Sequence, residues 1–504
     1  MNPPFNDQAV TILNAVRDSL TSGQKSYLVG GAVRDLVLGQ PLKDYDFVVA
    51  EGSIELAHKV RRKLGGSGFT LDDERKTARV LLGHGQPDEL VLDFVSFAGR
   101  TLEEDLKNRD FTINTLAIDL DSPQEIIDLL GGRQDLKLHV LRAASEYSLR
   151  LDPLRVLRGA RMMLKYDLSL EAETDELLRA SLPGLKMVSG ERIRDEIFKI
   201  IELPGRKRSL SLLDELDILN VIFPGIVALK SVPPILPHVH ALLEHTLATV
   251  DYLEGMMDPE GSFRVAPQVQ WYWEYLLERL EPYHELLTHF FATPIQGGRS
   301  RLLLFFMGAL YHDVGKPEAR SIGKDGRFHF TNHPMIGKKW VGELDRVLML
   351  GQAEDHYLST LVGQHMRVHF LARQLEGVSK RAIYRYFKDL GEVGVDVALL
   401  SLADTLATWE ESLPESQWQR EVAIAVEMLA AWFQQRQSIV APTKLLDGDD
   451  LMQMLGLKGG PLLGELLEML REAQAAGEVD SREAALDFVR AELQKRSGKE
   501  NLYD

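Results

Sequence analysis

The chain contains no cysteine among its 504 residues. Disulfides, thiolate metal ligands and a cysteine nucleophile are therefore excluded. No apolar run approaches the roughly 18 residues that a membrane-crossing helix needs. The opening MNPPFNDQAV has neither the basic flank nor the apolar core of a secretory leader. Internal repeats and low-complexity segments are missing too. These absences lead to the expectation of a soluble, cytoplasmic protein with no membrane partner; they leave the oligomeric state open. A length of 504 residues exceeds what one core supports and suggests three or four domains.

Basic residues are also in short supply. The net charge is −17, from 58 Lys+Arg against 75 Asp+Glu. A deficit of that size argues against a polyanionic partner until its distribution is considered. Residues 1–165 carry 22 basic and 24 acidic side chains, so nearly all of the acidic surplus lies downstream. Several acids in the first third are themselves candidate metal ligands, and a bound cation would offset them. Charge alone does not exclude nucleic acid.

The first 140 or so residues read as mixed α/β. SYLVGG is a short apolar strand running into glycines, and AVRDLVLG is a helix closed by Gly39. DYDFVVA is a second strand, SIELAHKVRRKLGG an amphipathic helix, and ARVLLGHG and ELVLDFVSF two further strands. From about Arg150 the pattern is helical almost throughout. Consecutive prolines in KSVPPILPHVH cannot continue a helix and mark a boundary near 230, and QSIVAPTKLLDGDD marks a second near 437–450. The tail QKRSGKENLYD is expected to fray.

Asp44 and Asp46 stand at i and i+2 on a strand, so both carboxylates project from one face. Taken alone such a pair is ordinary in a solvated turn. On a strand, two adjacent like charges suit a divalent cation, and magnesium favours hard oxygen ligands. Asp93, on the apolar strand VLDFVSF, is a candidate third carboxylate. Three such groups can hold two Mg²⁺ ions roughly 3.5–4 Å apart, the arrangement that clamps attacking and leaving oxygens in phosphoryl transfer. Gly30 and Gly31 allow backbone N–H groups to approach a triphosphate, and Arg34 on the next helical turn adds a charge-assisted contact. Further on, Asp152 offers only acceptors and Arg155 only donors. At i and i+3 on one helix face they can hydrogen-bond the Watson–Crick edges of C and A, each of which presents an amino donor and a ring-nitrogen acceptor. An ordinary surface ion pair is the alternative.

The order GGAVRD…KDYDF resembles the opening motif of the class II tRNA nucleotidyltransferase and bacterial poly(A) polymerase family. DLKNRDFTIN (105–114) resembles that family's second motif, which implies ribose and base-region contacts from Arg109, Asp110 and Asn114. DLLGGRQDLKLHVLR (128–142) resembles its glycine-containing hinge. LDPLRVLRGARM (151–162) resembles the helix that carries the amino-acid template, which adds Arg158 and Arg161 to Asp152 and Arg155 as nucleotide-binding candidates, and SGERIRDEIFKII (189–201) resembles the helix start that follows. The family's template motif usually begins Glu-Asp; here position 151 is leucine, which bears on the bases added and leaves nucleotide transfer untouched.

A second constellation lies in the helical part: His245 in LLEHTLATV, His312 and Asp313 in LYHDVGKPE, His333 in FTNHPMIG, His365 in LVGQHMRVH and Asp404 in LADTLAT. Imidazole and carboxylate ligands suit a divalent transition metal such as Mn, Fe, Ni or Zn, or Mg with waters filling its sphere. Asp313 can bridge a second ion, and Lys316 can neutralise phosphate. HDVGKP with histidine upstream and aspartate downstream resembles the HD phosphohydrolases, which hydrolyse phosphate esters with metal-activated water. Residues 445–489 resemble the C-terminal helical segment of bacterial tRNA nucleotidyltransferases that helps hold tRNA, with Lys458, Gly459 and Gly460 at a helix start.

These readings imply an α+β, multidomain chain: a small polymerase-β-like α/β nucleotidyltransferase head, 1–145, then a mostly α-helical body. The body comprises a nucleotide-selecting neck, 146–230, an HD domain, 231–437, and a tRNA-binding segment, 438–504. The expected function is template-independent addition of nucleotides to an RNA 3′ end, with CCA addition or repair on tRNA from CTP and ATP preferred. Poly(A), CC-only or A-only addition are the alternatives. A different class, an HD hydrolase with a nucleotide- or RNA-binding head, remains open.

Overall fold

In the computed structural model, the described residues are 5–500 apart from 75, 87–88, 259–260, 296–297, 325 and 374–376, with the side chains of 497–500 also left aside. The last helix, Arg482–Glu500, takes up the start of the stretch expected to fray, and 501–504 lie outside the described residues. The chain forms two compact units, Met1–Leu203 with Glu215–Val221 and Pro204–Asp214 with Ile222–Asp504.

The first unit is organised by a seven-stranded sheet: β1 Ser26–Val29, β2 Asp44–Val49, β3 Ser67–Asp72, β4 Thr77–Leu82, β5 Leu90–Ser96, β6 Ala117–Asp119 and β7 Ile126–Ile127. Their spatial order is β3-β4-β5-β2-β1-β6-β7. Only β2 and β5 run parallel, and that pairing sets Asp46 beside Asp93. On its other side β2 pairs antiparallel with β1, which sets Asp46 beside Val29, the residue before Gly30. Alternation does the rest: Tyr45, Phe47 and Phe94 are buried and stack in series, and the intervening aspartates face the opposite side. The sequence reading missed β3, β6 and β7. In β3, SGFTLD, exposed positions alternate with half-buried ones, so this edge strand shows no apolar run. The other two are only three and two residues long. Helix Arg155–Tyr166 follows in the same unit, with Phe111 against its Gly159, and helix Gly190–Ile201 beyond it.

The second unit is helical almost throughout, as expected. Residues 232–241, with their prolines, form no helix and separate a 3-10 turn, Ile226–Ser231, from helix Leu242–Met256. The central helix Val393–Trp409 is buried from Val393 through Thr408, which is why its sequence is apolar all round and lacks a polar face. Near the second expected break the helix Glu415–Phe433 ends and a π turn, Arg436–Val440, follows. The C-terminal helices have a core of their own around Leu451, Leu466, Leu470 and Val489. Among the described residues no helix is long and apolar enough to cross a membrane.

Candidate functional site

Strand β1 delivers the chain into Gly30, whose φ of +72° is a conformation that disfavours any side chain. The space is closed as well: a Cβ there would lie 2.8 Å from Arg109 Nη1 and 3.3 Å from Asp46 Oδ2. The glycine is thus what lets backbone, Asp46 and Arg109 share one corner. The short helix Gly31–Val37 begins immediately afterwards.

A cavity of about 500 Å³ opens over this corner. It gathers Gly30, Gly31, Arg34, Asp44, Asp46, Arg109, Asp110, Asn114, Arg155, Arg158 and Arg161, all of them singled out from sequence. Its lining holds seven cationic side chains, including Lys43 and Lys165, against four carboxylates. A cationic hollow in so acidic a chain suits a polyanionic ligand. Asp44 is exposed and Asp46 half-buried. Burial pushes the Asp46 carboxyl up; Asp93 and Asp44 add to this, and Arg109 relieves it. Asp44 and Asp46, alternate residues of one strand that both line the cavity, are a hard-oxygen donor set that divalent Mg²⁺ fits.

Asp110 fastens segment 105–114 to helix Arg155–Tyr166. Its Oδ1 accepts from the Phe111 N–H (2.8 Å) and from Asn114 Nδ2 (2.9 Å), and Arg158 Nη2 lies 2.8 Å from its Oδ2. Burial alone would raise this carboxyl, but Arg158 and the hydrogen bonds outweigh burial and lower it. Arg34 is itself buried: it donates to the Asn114 side-chain oxygen, pairs with Asp35 and lies 4.4 Å over the Tyr166 ring. Arg161 pairs with the buried Glu196.

Two candidates lie off the lining. Asp93 is held by both oxygens, each 2.8 Å from an Arg79 nitrogen on neighbouring β4. Sequence reading did not anticipate Arg79, because only the antiparallel register reveals it. Asp152 is not on the helix where it was expected, which starts at Arg155. Pro153 disfavours helical backbone before it, and Asp152 is extended at φ −148°, ψ 99°. Its Oδ2 lies 2.6 Å from Arg192 Nη2, and its Oδ1 accepts weakly from the Leu154 N–H. Arg155 instead donates to the carbonyls of Ser148 (2.8 Å) and Arg109 (3.1 Å). The i, i+3 ion pair is therefore not made: each residue is held separately. Leu151 is 60% exposed.

In the helical unit the six expected ligands do converge. His245, His312, Asp313, His333, His365 and Asp404 are all buried. Asp313 Oδ2 lies 3.4 Å from His245 Nε2 and 3.3 Å from His312 Nε2; its Oδ1 lies 3.4 Å from His333 Nε2 and 3.7 Å from His365 Nε2. Asp404 Oδ1 lies 3.2 Å from His245 Nε2. Two groups that can hold a metal ion result, one of His245, His312, Asp313 and Asp404 and one of Asp313, His333 and His365. The rings of His312, His333 and His365 each turn Nδ1 to a carbonyl three residues earlier, at 2.7–2.8 Å. An Nδ1–H donated there leaves the Nε2 lone pair facing the cluster. His245 Nε2 and His312 Nε2 are buried without hydrogen-bond partners among the described residues, an arrangement a metal ion satisfies. Gly315 makes this possible: a Cβ there would lie 2.2 Å from the His333 carbonyl oxygen, so only glycine lets the HDVGK turn approach that helix start.

Lys316 pairs with Asp313 and lies 3.2 Å from His238 Nε2; burial, then Lys316, pushes His238 down to about 3. Reading by spacing missed His369 and Glu421. His369 Nε2 lies 2.9 Å from Asp404 Oδ2 and its Nδ1 3.7 Å from Glu421 Oε2. Burial would lower His369, but the two carboxylates outweigh it and push it up to about 10. Its place in HMRVH, four residues after His365, was the one available signal.

Residues 26–142 match the family described as the poly A polymerase head domain, and residues 167–229 that described as a probable RNA- and SrmB-binding site of polymerase A. Across 480 residues, 94% of this chain and 96% of the relative, the sequence is 32% identical to the A-adding tRNA nucleotidyltransferase of Deinococcus radiodurans. The chain belongs to the tRNA nucleotidyltransferase family. A CC-adding tRNA nucleotidyltransferase of Geobacter sulfurreducens is 30% identical over 468 residues, 93% of this chain and 92% of that one. The solved structure of the Thermotoga maritima CCA-adding enzyme complexed with tRNA superposes with a TM-score of 0.58 at 20% identity, covering 97% of each chain, and so shares the fold. The expectation of an α/β head followed by a mostly helical body is borne out.

Proposed function

We propose that this member of the family extends tRNA 3′ ends with the nucleotides of CCA, taking CTP and ATP, in the cytoplasm. The observation that carries the proposal is the convergence on one cationic cavity of residues scattered from Gly30 to Arg161. Asp44 and Asp46 would hold Mg²⁺, which supplies charge neutralisation at the reacting phosphate and at the attacking 3′-hydroxyl. Asp93, aligned with Asp46 but held by Arg79, shapes that pair's electrostatics and is the remaining candidate ligand. The backbone at Gly30 and Gly31 and the side chains of Arg109 and Arg158 bind the triphosphate and ribose. Asp110 sets the Arg158 guanidinium in place and Asp105 that of Arg109, while Asn114 donates to Asp110 and is braced by Arg34. Asp152 and Arg155 would choose the base, one held by Arg192 and the other by two carbonyls. The neck, 146–230, and the C-terminal segment, 438–504, would carry the tRNA. Substrates ending before CCA, after C and after CC, each given CTP and ATP singly and together, test this: stepwise completion of CCA is expected, and no extension of any of them overturns it. The A-adding and CC-adding names of relatives matched over the whole chain favour a second reading, addition of only part of CCA. The same experiment separates them.

The His/Asp centre in 231–437 supports a further metal-dependent phosphohydrolase activity. His245, His312, Asp313 and Asp404 would hold one divalent ion and Asp313, His333 and His365 a second, transition metal or Mg²⁺. A metal there supplies an activated water; Lys316 neutralises the bound phosphate. Metal analysis of the purified chain together with phosphate release tests this, and loss of neither in His312→Ala with Asp313→Ala overturns it.

A further inference from the structure

The His/Asp centre opens onto a cavity of about 810 Å³, far more room than a phosphate group fills. Asp404, His333 and Lys316 contribute to its lining and place the hydrolytic machinery there. The remaining lining is of another character. Phe328 and Phe370 face it while 39% and 55% exposed, large rings left in contact with solvent. Each carries an arginine over its face: Arg320 5.7 Å from the Phe328 centroid and Arg373 5.5 Å from that of Phe370. A ring with a guanidinium beside it is a surface on which a planar heterocycle stacks.

Charge gives the second half of the argument. Arg373 and Arg420 both line the cavity, and among the ion pairs of the described residues neither has a carboxylate partner. Glu421, next to Arg420 in sequence, is engaged elsewhere: it accepts from Thr405 and Gln417 and lies against His369. Among the described residues two cations are therefore left uncompensated on the wall of a cavity whose own acids are engaged, Asp404 by His245 and His369 and Glu421 by Thr405 and Gln417. Lys316, by contrast, sits at the His/Asp centre itself, beside Asp313.

We propose that this cavity takes a nucleoside bisphosphate: a heterocycle against Phe370 and Phe328, one phosphate at the His/Asp centre, and a second phosphate paired with Arg373 and Arg420. The inference rests on the phosphohydrolase reading of that centre. Hydrolysis of the ester forms one O–P bond from water and breaks one ester P–O bond, and the proton of the water passes to the leaving alcohol; no other reactant is needed. Titration calorimetry of the full-length, Mn²⁺-loaded protein with adenosine 3′,5′-bisphosphate and with 3′-AMP reads the second phosphate directly. At least tenfold tighter binding of the bisphosphate is expected, and the ratio should fall towards one in Arg373→Ala with Arg420→Ala. Equal affinity for the two ligands, or an equal loss for both in the variant, overturns the proposal. Phosphate release from the same compounds isolates the underlying reading. Arginine-dependent bisphosphate binding without release under any metal sinks the hydrolase activity and leaves the binding site standing.

Discussion

In the head, two carboxylates on one strand stand at the edge of a cavity whose charged lining is mainly arginine and lysine, and one of them is open to solvent. In the helical unit, six candidate ligands drawn from five separate points of the chain are buried, and His245 Nδ1, His245 Nε2 and His312 Nε2 have no hydrogen-bond partner among the described residues. On the reading proposed above, metal and a highly charged substrate would arrive together at the first site and neutralise one another. The second would be organised around the metal alone, with the cations that would meet a substrate set apart on the cavity wall. Adjacent carboxylates would need the substrate's company; a closed imidazole set would not.

The comparison is broken most directly by removing ligands from one side. Asp46→Asn should lower nucleotide incorporation by about 10³-fold or more, as expected when charge stabilisation at the reacting phosphate is lost. Metal content at the His/Asp centre should be unchanged, as read by elemental analysis of the same sample. Loss of both would mean that the two sites are not independent. His369→Gln removes the group that holds Asp404 Oδ2; metal affinity at the buried centre should fall about 10–100-fold, measured by competition with a chelator. Unaltered affinity would leave His369 no part in orienting Asp404. Gly30→Ala puts a methyl group against Arg109 and imposes a side chain at φ +72°. An incorporation rate down by about 10²-fold, with the fold intact by circular dichroism, is the expected result. The smallest effect concerns choice rather than rate. Arg192→Ala should lower the preference for CTP and ATP over UTP and GTP by about tenfold, with partial recovery in Arg192→Lys, because Asp152 loses the partner that fixes its carboxylate. Equal losses on all four nucleotides would make Arg192 a purely structural residue.

The two regions were not equally legible in the sequence. Head residues come in short motifs whose internal spacing follows strand and turn geometry, so Gly30, Asp44, Asp46 and Asp110 were found together and share a cavity. What failed there depended on long-range register or on proline. Arg79 meets Asp93 only across β4 and β5, and Pro153 takes Asp152 off the helix that its i, i+3 spacing suggested. The helical centre was legible through the HDVGKP dipole of motif and spacing, which drew in the outlying histidines and Asp404. Glu421 had no such signal: it lies on a helix where an acid four residues after Gln417 reads as surface, and only packing shows it buried beneath His369. Likewise β3 was invisible because an edge strand needs no apolar face of its own.

His312, His333 and His365 each turn Nδ1 to the carbonyl three residues earlier. Their rings are fixed by backbone rather than by the ion, so the ordering cost of the ligand set is met when the chain folds and not when metal binds. Small zinc domains unfold on chelation because the metal is their core. Here chelation should leave a folded receptacle with its tautomers already chosen, ready to reload without refolding.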